Sequence, residues 1–230
     1  MRLLVVGHGR MGRLVEGLAA SYGFEVAGVL DRAANEGGAG VTAERCRDVD
    51  VAVDFSTAEA TLATAPRLAA QGVSLVVGTT GWQVGESEIR DVVARAGIGA
   101  VVAANFSLGA NVLDALAETA GRLLGGAGAY GAFIHEAHHA AKKDAPSGTA
   151  LMLRRALERA GYPRPVDLTS TRAGHIPGTH NVGFDGPAET LALVHTVRDR
   201  ATFAHGALEA ARWVVGRRGW FTMRDVLGLG

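Results

Sequence analysis

Residues 2–12, Arg2-Leu3-Leu4-Val5-Val6-Gly7-His8-Gly9-Arg10-Met11-Gly12, decide the fold. A short apolar run ending in glycine is the pattern of a buried parallel strand. Met11, Leu14, Val15 and Leu18 then share one face at helical spacing, which predicts a helix over 11–22. Between strand and helix stands a G-x-G-x-x-G. The first glycine makes the turn, the second lets a pyrophosphate approach the backbone, and the third lets helix and strand pack closely. The helix start offers N–H groups to phosphate. The segment reads as a dinucleotide cradle built from Gly7, Gly9, Arg10, Met11 and Gly12.

Working outward, strands are expected at 24–30, 49–55, 73–77 and 99–103, with helices over 57–71 and near 85–96. Strands alternating with helices indicate a parallel sheet with right-handed crossovers. Asp31 stands 19 residues beyond Gly12, at the end of the second strand. A carboxylate there accepts hydrogen bonds from the adenosine ribose and favours NADH. Arg32 follows at once, and its guanidinium suits adenine stacking or the 2′-phosphate of NADPH, so both coenzymes stay open. Gly78-Thr79-Thr80-Gly81 and Ala103-Ala104-Asn105-Phe106-Ser107 close the fourth and fifth strands. Ligands of open α/β sheets lie at the carboxyl ends of strands, so these loops are expected to face the nicotinamide.

The pattern changes after residue 106. A helix is expected over 111–124, a strand over 131–136 and a helix over 147–160. Strands follow at 167–173, 178–183 and 188–196, suggesting a mixed or antiparallel sheet, and 203–215 returns to helical spacing. Lys plus Arg and Asp plus Glu both number 23, so no net charge argues for a nucleic-acid or membrane partner. The N-terminal apolar run is too short for a secretory signal, and no run reaches the roughly 18 apolar residues of a membrane span. Cys46 is the single cysteine, which fits a reducing compartment; the cytoplasm is the expected location.

Residues 136–149, EAHHAAKKDAPSGT, carry the chemistry. Imidazoles exchange protons near neutral pH, lysine offers charge, and a helix start offers N–H groups to an anion. Together these suit a small acidic substrate that must be bound and protonated. His135-Glu136-Ala137-His138-His139 also matches H-E-x-x-H, a zinc motif that works only on a helix. The run from Tyr130 to Ile134 favours a strand, and Pro146 limits any helix, so no metal is expected. The remaining alternative is a polar surface loop.

These residues resemble one family, the 4-hydroxy-tetrahydrodipicolinate reductases, also called dihydrodipicolinate reductases. Residues 138–149 are similar to its H-H-x-x-K-x-D-A-P-S-G-T signature. Gly7–Gly12, Asp54-Phe55-Ser56, Gly78–Gly81, Ala104–Ser107 and the segment from His195 to Ala207 add to the likeness. The resemblance implies that His138 transfers the proton and that Lys142 charges and orients the substrate. It implies that His139, Ser147, Gly148 and Thr149 hold the carboxylates of a cyclic imine dicarboxylate. Asp31 and Arg32 fall where the family sets its nicotinamide choice. Arg200 resembles an arginine returning toward the cofactor domain, with an interdomain salt bridge as the equal alternative.

The implied fold is α/β: a Rossmann-type parallel-sheet dinucleotide-binding domain (1–106 plus 201–230) with an inserted α+β substrate-binding and oligomerisation domain (107–200). The implied assembly is a homotetramer. A cleft is implied between coenzyme and residues 138–149, hinging near 106 and 201. The chain is shorter than many members between Arg32 and Cys46 and within 160–190, which puts adenosine recognition and subunit packing in question. Two other readings stand beside this one: a dehydrogenase of aspartate or homoserine, and a dinucleotide sensor without turnover. Roles in packing or at the surface are expected for His175, His180 and His205.

Overall fold

A computed structural model describes residues 1–229, and the chain divides into two compact units: Met1–Ser107 with the segment from Ala201 onward, and Leu108–Arg200. The first unit opens with β1 (Arg2–Val6), α1 (Arg10–Leu18) and β2 (Glu25–Leu30). It continues through β3 (Val51–Asp54), α2 (Ala58–Ala70), β4 (Ser74–Val77), α3 (Glu86–Ala96) and β5 (Gly99–Val102). The second unit holds α4 (Leu108–Gly125), β6 (Gly131–His138), α5 (Gly148–Arg159), β7 (Val166–Arg172), β8 (Thr179–Asp185) and β9 (Thr190–Thr196). The chain then returns to the first unit as α6 (Ala201–Val214), β10 (Gly219–Phe221) and α7 (Met223–Val226).

Six parallel strands form the first sheet in the order β10-β5-β4-β3-β1-β2. Leu3, Leu4, Val5 and Val6 are all at most 1% exposed, as a strand covered on both faces requires. Leu4, Val6, Ala52, Leu75 and Val77 pack with Leu68, Ile89 and Val93 of α2 and α3. The alternate residues face the other way, the side on which α1 and α6 pair. Chain order reverses at β1, so the crevice outside the carboxyl ends of β1 and β3 is where such sheets bind ligand. The crossover from β2 to β3 carries only a short 3-10 turn, Glu36–Gly38, and no α-helix. The strand β10 was not expected: three residues are too few to show a period. It exists because the edge of β5 offers unpaired backbone, which Gly219–Phe221 meets in parallel register.

The second sheet has the order β7-β6-β8-β9, with β6 and β7 parallel and the other pairs antiparallel. Ala132, Ile134, Val182 and Phe184 on one face pack against Leu113 and Ala117 of α4 and Leu153, Ala156 and Leu157 of α5. Several ranges differ from expectation: β8 runs two residues beyond 183 and β9 starts two residues after 188. The helix α4 starts three residues earlier than 111, and β6 runs on to His138 instead of ending at 136. The extension of β6 holds because β7 continues to pair with it through Arg172 opposite His138.

Candidate active site

The glycine turn of the first unit is built from backbone. Gly7 has φ +84°, a left-handed conformation that favours glycine, and a side chain there would meet the Phe55 carbonyl oxygen at 2.6 Å. A methyl group on Gly12 would stand 1.9 Å from the Gly7 oxygen. Nothing lies within 4 Å of the side-chain position at Gly9, which precedes α1 without any side-chain cap. Two glycines are thus dictated by packing. The third leaves open space in front of the N–H groups that start α1.

The neighbouring loops are tied down by Asp54 at the end of β3. Its carboxylate is buried and accepts from Thr61 Oγ1 at 2.8 Å, Thr79 Oγ1 at 3.1 Å and the Ser56 N–H at 2.8 Å. Burial raises the Asp54 pKa, outweighing those hydrogen bonds. The buried Trp82 indole donates to the Thr79 carbonyl at 2.8 Å. The Thr79 side chain therefore serves the loop itself, leaving Gly78 and the exposed Thr80 as the outward part of this turn. Phe106 is buried edge-on against Phe55, and Asn105 Oδ1 accepts from the Ser107 N–H at 2.8 Å. Ala103 is half-buried and Ala104 exposed. Asp31 and Arg32 are exposed, with Asp31 Oδ1 accepting from the Ala34 N–H at 2.8 Å. Arg10 is exposed and Met11 half-buried.

In the second unit, strand register assembles the site. Glu136 and His138 alternate along β6 onto the helix-bearing face. Arg172 of β7 pairs with His138, and His180 of β8 pairs with Glu136. Glu136 is fully buried. Arg172 Nη2 donates to its Oε1 at 2.6 Å and Nη1 to its Oε2 at 2.9 Å, a two-point charge-assisted contact. His138 Nδ1 donates to the same carboxylate in a short hydrogen bond, and the Ser147 N–H reaches Oε1 at 3.3 Å. Burial alone would push the Glu136 pKa up. Hydrogen bonds from Arg172, Ser170 and His138, with the Arg172 charge, hold it at about 2. Burial lowers the His138 pKa below its ordinary 6.5, partly opposed by Glu136 and assisted by Lys142 and Arg172.

His180 stacks edge-on against His138, with ring centroids 5.1 Å apart, and burial together with the His138 charge drives its pKa to about 4. It is buried, within the packing role expected of it, and lies directly beside His138. Its signal is the position opposite Glu136, which only pairing reveals. His175 is exposed, and His205 Nδ1 meets the Tyr22 hydroxyl at 2.8 Å in the first unit. Ser147 caps α5, its Oγ accepting from the Ala150 N–H at 3.2 Å and lying 3.0 Å from His180 Nε2. With its amide on Glu136 as well, Ser147 is committed inside the unit, and the exposed Gly148 and half-buried Thr149 open the helix. Lys142 Nζ contacts both Asp144 oxygens at 2.7 and 2.9 Å, and this contact leads the lowering of the Asp144 pKa. His139 is half-buried; Arg200 is exposed at the end of the unit. Ala145-Pro146 is cis.

The zinc-motif reading fails on secondary structure. His135 sits on a strand, points to the face opposite His138 and meets Thr171 Oγ1 at 2.9 Å. Glu136, His138 and His180 do bring ligand-type atoms within 4.8 Å of one another. The Arg172 guanidinium already covers that carboxylate, and its charge repels a cation.

A parallel sheet with a glycine cradle, and a separate unit carrying an imidazole on a buried carboxylate, define a class: two-domain oxidoreductases of the Rossmann type, which use a nicotinamide cofactor. Family models narrow it. Dihydrodipicolinate reductase, N-terminus, matches residues 1–106, and Dihydrodipicolinate reductase, C-terminus, matches residues 109–227. The chain belongs to the dihydrodipicolinate reductase family. The 4-hydroxy-tetrahydrodipicolinate reductase of Thiobacillus denitrificans is 38% identical over 268 aligned positions, covering 100% of this chain and 99% of the relative. That of Methanoregula boonei is 37% identical, covering 96% and 95%. Among solved structures, a dipicolinate-bound dihydrodipicolinate reductase from Paenisporosarcina sp. TG-14 superimposes with TM-score 0.80 at 20% identity, covering 98% of each chain. An aspartate dehydrogenase from Thermotoga maritima reaches 0.50 at 12%, covering 92% and 95%. These two structural likenesses speak for the fold alone.

Proposed function

We propose that the protein reduces 4-hydroxy-tetrahydrodipicolinate to tetrahydrodipicolinate, in the diaminopimelate route to lysine. The observation that carries this reading is His138, an imidazole on a buried, arginine-locked carboxylate beside the start of α5, in a chain that the family matches nearly end to end. In this reaction water leaves the 4-hydroxyl substrate, and the resulting conjugated imine gains one hydride on a ring carbon and one proton. When bound, the reduced nicotinamide supplies the hydride. Gly7, Gly9, Arg10, Met11 and Gly12 would hold its pyrophosphate. Asp31 and Arg32 would meet the adenosine ribose. Gly78 and Thr80, with Ala103, Ala104, Asn105 and Phe106, would line its nicotinamide half. NADH and NADPH both suit this set.

Gly148, Thr149 and His139 would hold the substrate carboxylates, and Ser147 would fix the helix start beneath them. In that binding Lys142 exchanges Asp144 for a substrate carboxylate. His138 is neutral in the free enzyme at neutral pH. Two arriving carboxylates favour its charged form, so the acid is loaded as the diacid binds. This reading has a direct test: freshly generated substrate, with NADH and NADPH consumption followed separately. Turnover with the cyclic imine and none with L-aspartate or L-homoserine is expected; the reverse refutes it.

The outer face of the second sheet supports assembly into a homo-oligomer, a tetramer by family likeness. Register puts Phe133, Ala192 and the 60% exposed Val194 on that face, beside an Asn181 Oδ1 that is buried without a partner among the described residues. A second copy of the same face would cover it, and sedimentation reads the result. Among the described residues no helix is long and apolar enough to cross a membrane. A single thiol suits the cytoplasm, where we place the enzyme.

A further inference from the structure

Resting on the reductase reading, we propose that Glu136 and Arg172 are the positioning pair of His138: they fix the ring so that Nδ1 keeps its hydrogen and Nε2 alone exchanges the catalytic proton. A carboxylate only accepts hydrogen bonds, so the His138 nitrogen that meets Glu136 must be the protonated one. That choice selects one of two tautomers of neutral imidazole and leaves Nε2 as the reactive atom. The opposite side of the ring is kept open. Gly178 lies beside it at φ +130°, and a side chain there would meet His138 Cδ2 and Nε2 at 3.2 Å.

Glu136 has no capacity left for a ligand. Two Arg172 nitrogens, His138 and the Ser147 amide occupy its oxygens, and it is fully buried. It therefore acts through His138 and does not touch substrate. Arg172 does more than neutralise it. The planar fork sets the carboxylate orientation, and Nη2 also donates to the Asp144 carbonyl at 2.6 Å, tying the ring support to the loop that carries Lys142. Because the guanidinium offsets the carboxylate charge, the imidazolium is not held so tightly that it cannot release its proton. A lone buried carboxylate would raise the His138 pKa and hinder proton release.

The test combines kinetics with nitrogen-15 NMR of histidine ring nitrogens in the full-length protein. The wild type is expected to show His138 in the Nδ1–H form. In Glu136→Gln the amide can accept or donate, so a mixture of tautomers is expected. With it comes a fall in kcat of about 10–100-fold, part of the roughly 10²–10⁴-fold that general acid catalysis contributes. Coenzyme KM should stay unchanged, and the pH limb of kcat/KM should move to lower pH. Arg172→Lys keeps the charge but loses the fork, so a smaller loss of kcat and a partial loosening of the tautomer are expected. Should Glu136→Gln fail to fold, Arg172→Lys decides alone. An unchanged tautomer and pH profile, with only a lower Tm, in whichever variant folds would overturn the proposal. Absence of turnover in the wild type would instead count against the reductase reading, while the ring-nitrogen shifts would still test the tautomer lock.

Discussion

The glycine turn after β1 and the charged cluster at the end of β6 solve different problems with different materials. The turn offers a ligand only bare backbone. Its side-chain requirement is mostly negative, since a methyl group at Gly12 would stand 1.9 Å from an oxygen. The cluster works through side chains drawn from three strands and a helix cap, with a carboxylate, a guanidinium and two imidazoles packed together. Steric demands on a backbone leave one residue type possible, and they leave it at fixed spacing. A charge network needs several distant residues, and each can be mistaken alone for a surface group.

The sharpest attempt to break this contrast is His138→Ala. Loss of the acid should lower kcat by roughly 10²–10⁴-fold while coenzyme KM stays near the wild-type value. Full turnover in that variant would mean that the cluster is structural after all. Gly12→Ala comes next and should do the opposite. The backbone must shift to admit the methyl, at a cost of about 1–3 kcal/mol, so Tm falls and nicotinamide affinity weakens, as calorimetry and fluorescence titration would read. A Gly12→Ala protein that bound coenzyme normally would show that close packing of α1 on β1 is dispensable.

A third test uses pH. A general acid works when protonated, and burial places the His138 pKa below 6.5. The value of kcat/KM should fall as pH rises through that lowered pKa, about tenfold per unit. The limb in kcat should lie at higher pH, because substrate carboxylates favour imidazolium. Coincident limbs would remove the idea that substrate loads the acid. The smallest expected effect is that of Asp31→Ala. It is exposed, so NADH affinity should drop only several-fold, with NADPH affected less. Equal losses for the two coenzymes would argue against ribose recognition by that carboxylate.

Much of this molecule can be read along the chain. The strands through residue 102 are plain, because both faces of a parallel sheet must be apolar, and the helices α1, α2 and α3 show a helical period. Ser147 is legible as a cap, and 138–149 as one polar segment, because their residues are neighbours in sequence. Other parts were not legible. The edge strand β10 has three residues and follows from vacant hydrogen bonds on β5. Thr79 looks like a ligand-facing threonine, but its hydroxyl is spent on Asp54.

The sequence by itself determined the glycine turn, the order of elements and the segment that carries His138, because local steric and periodic constraints are written in adjacent residues. Only tertiary structure decided that Arg172 and His180 join Glu136 and His138. They lie 36 and 44 residues from Glu136 along the chain. What unites them is the parallel register of β7 and the antiparallel register of β8 on either side of β6, since side chains on paired strands share a face only when pairing and parity agree.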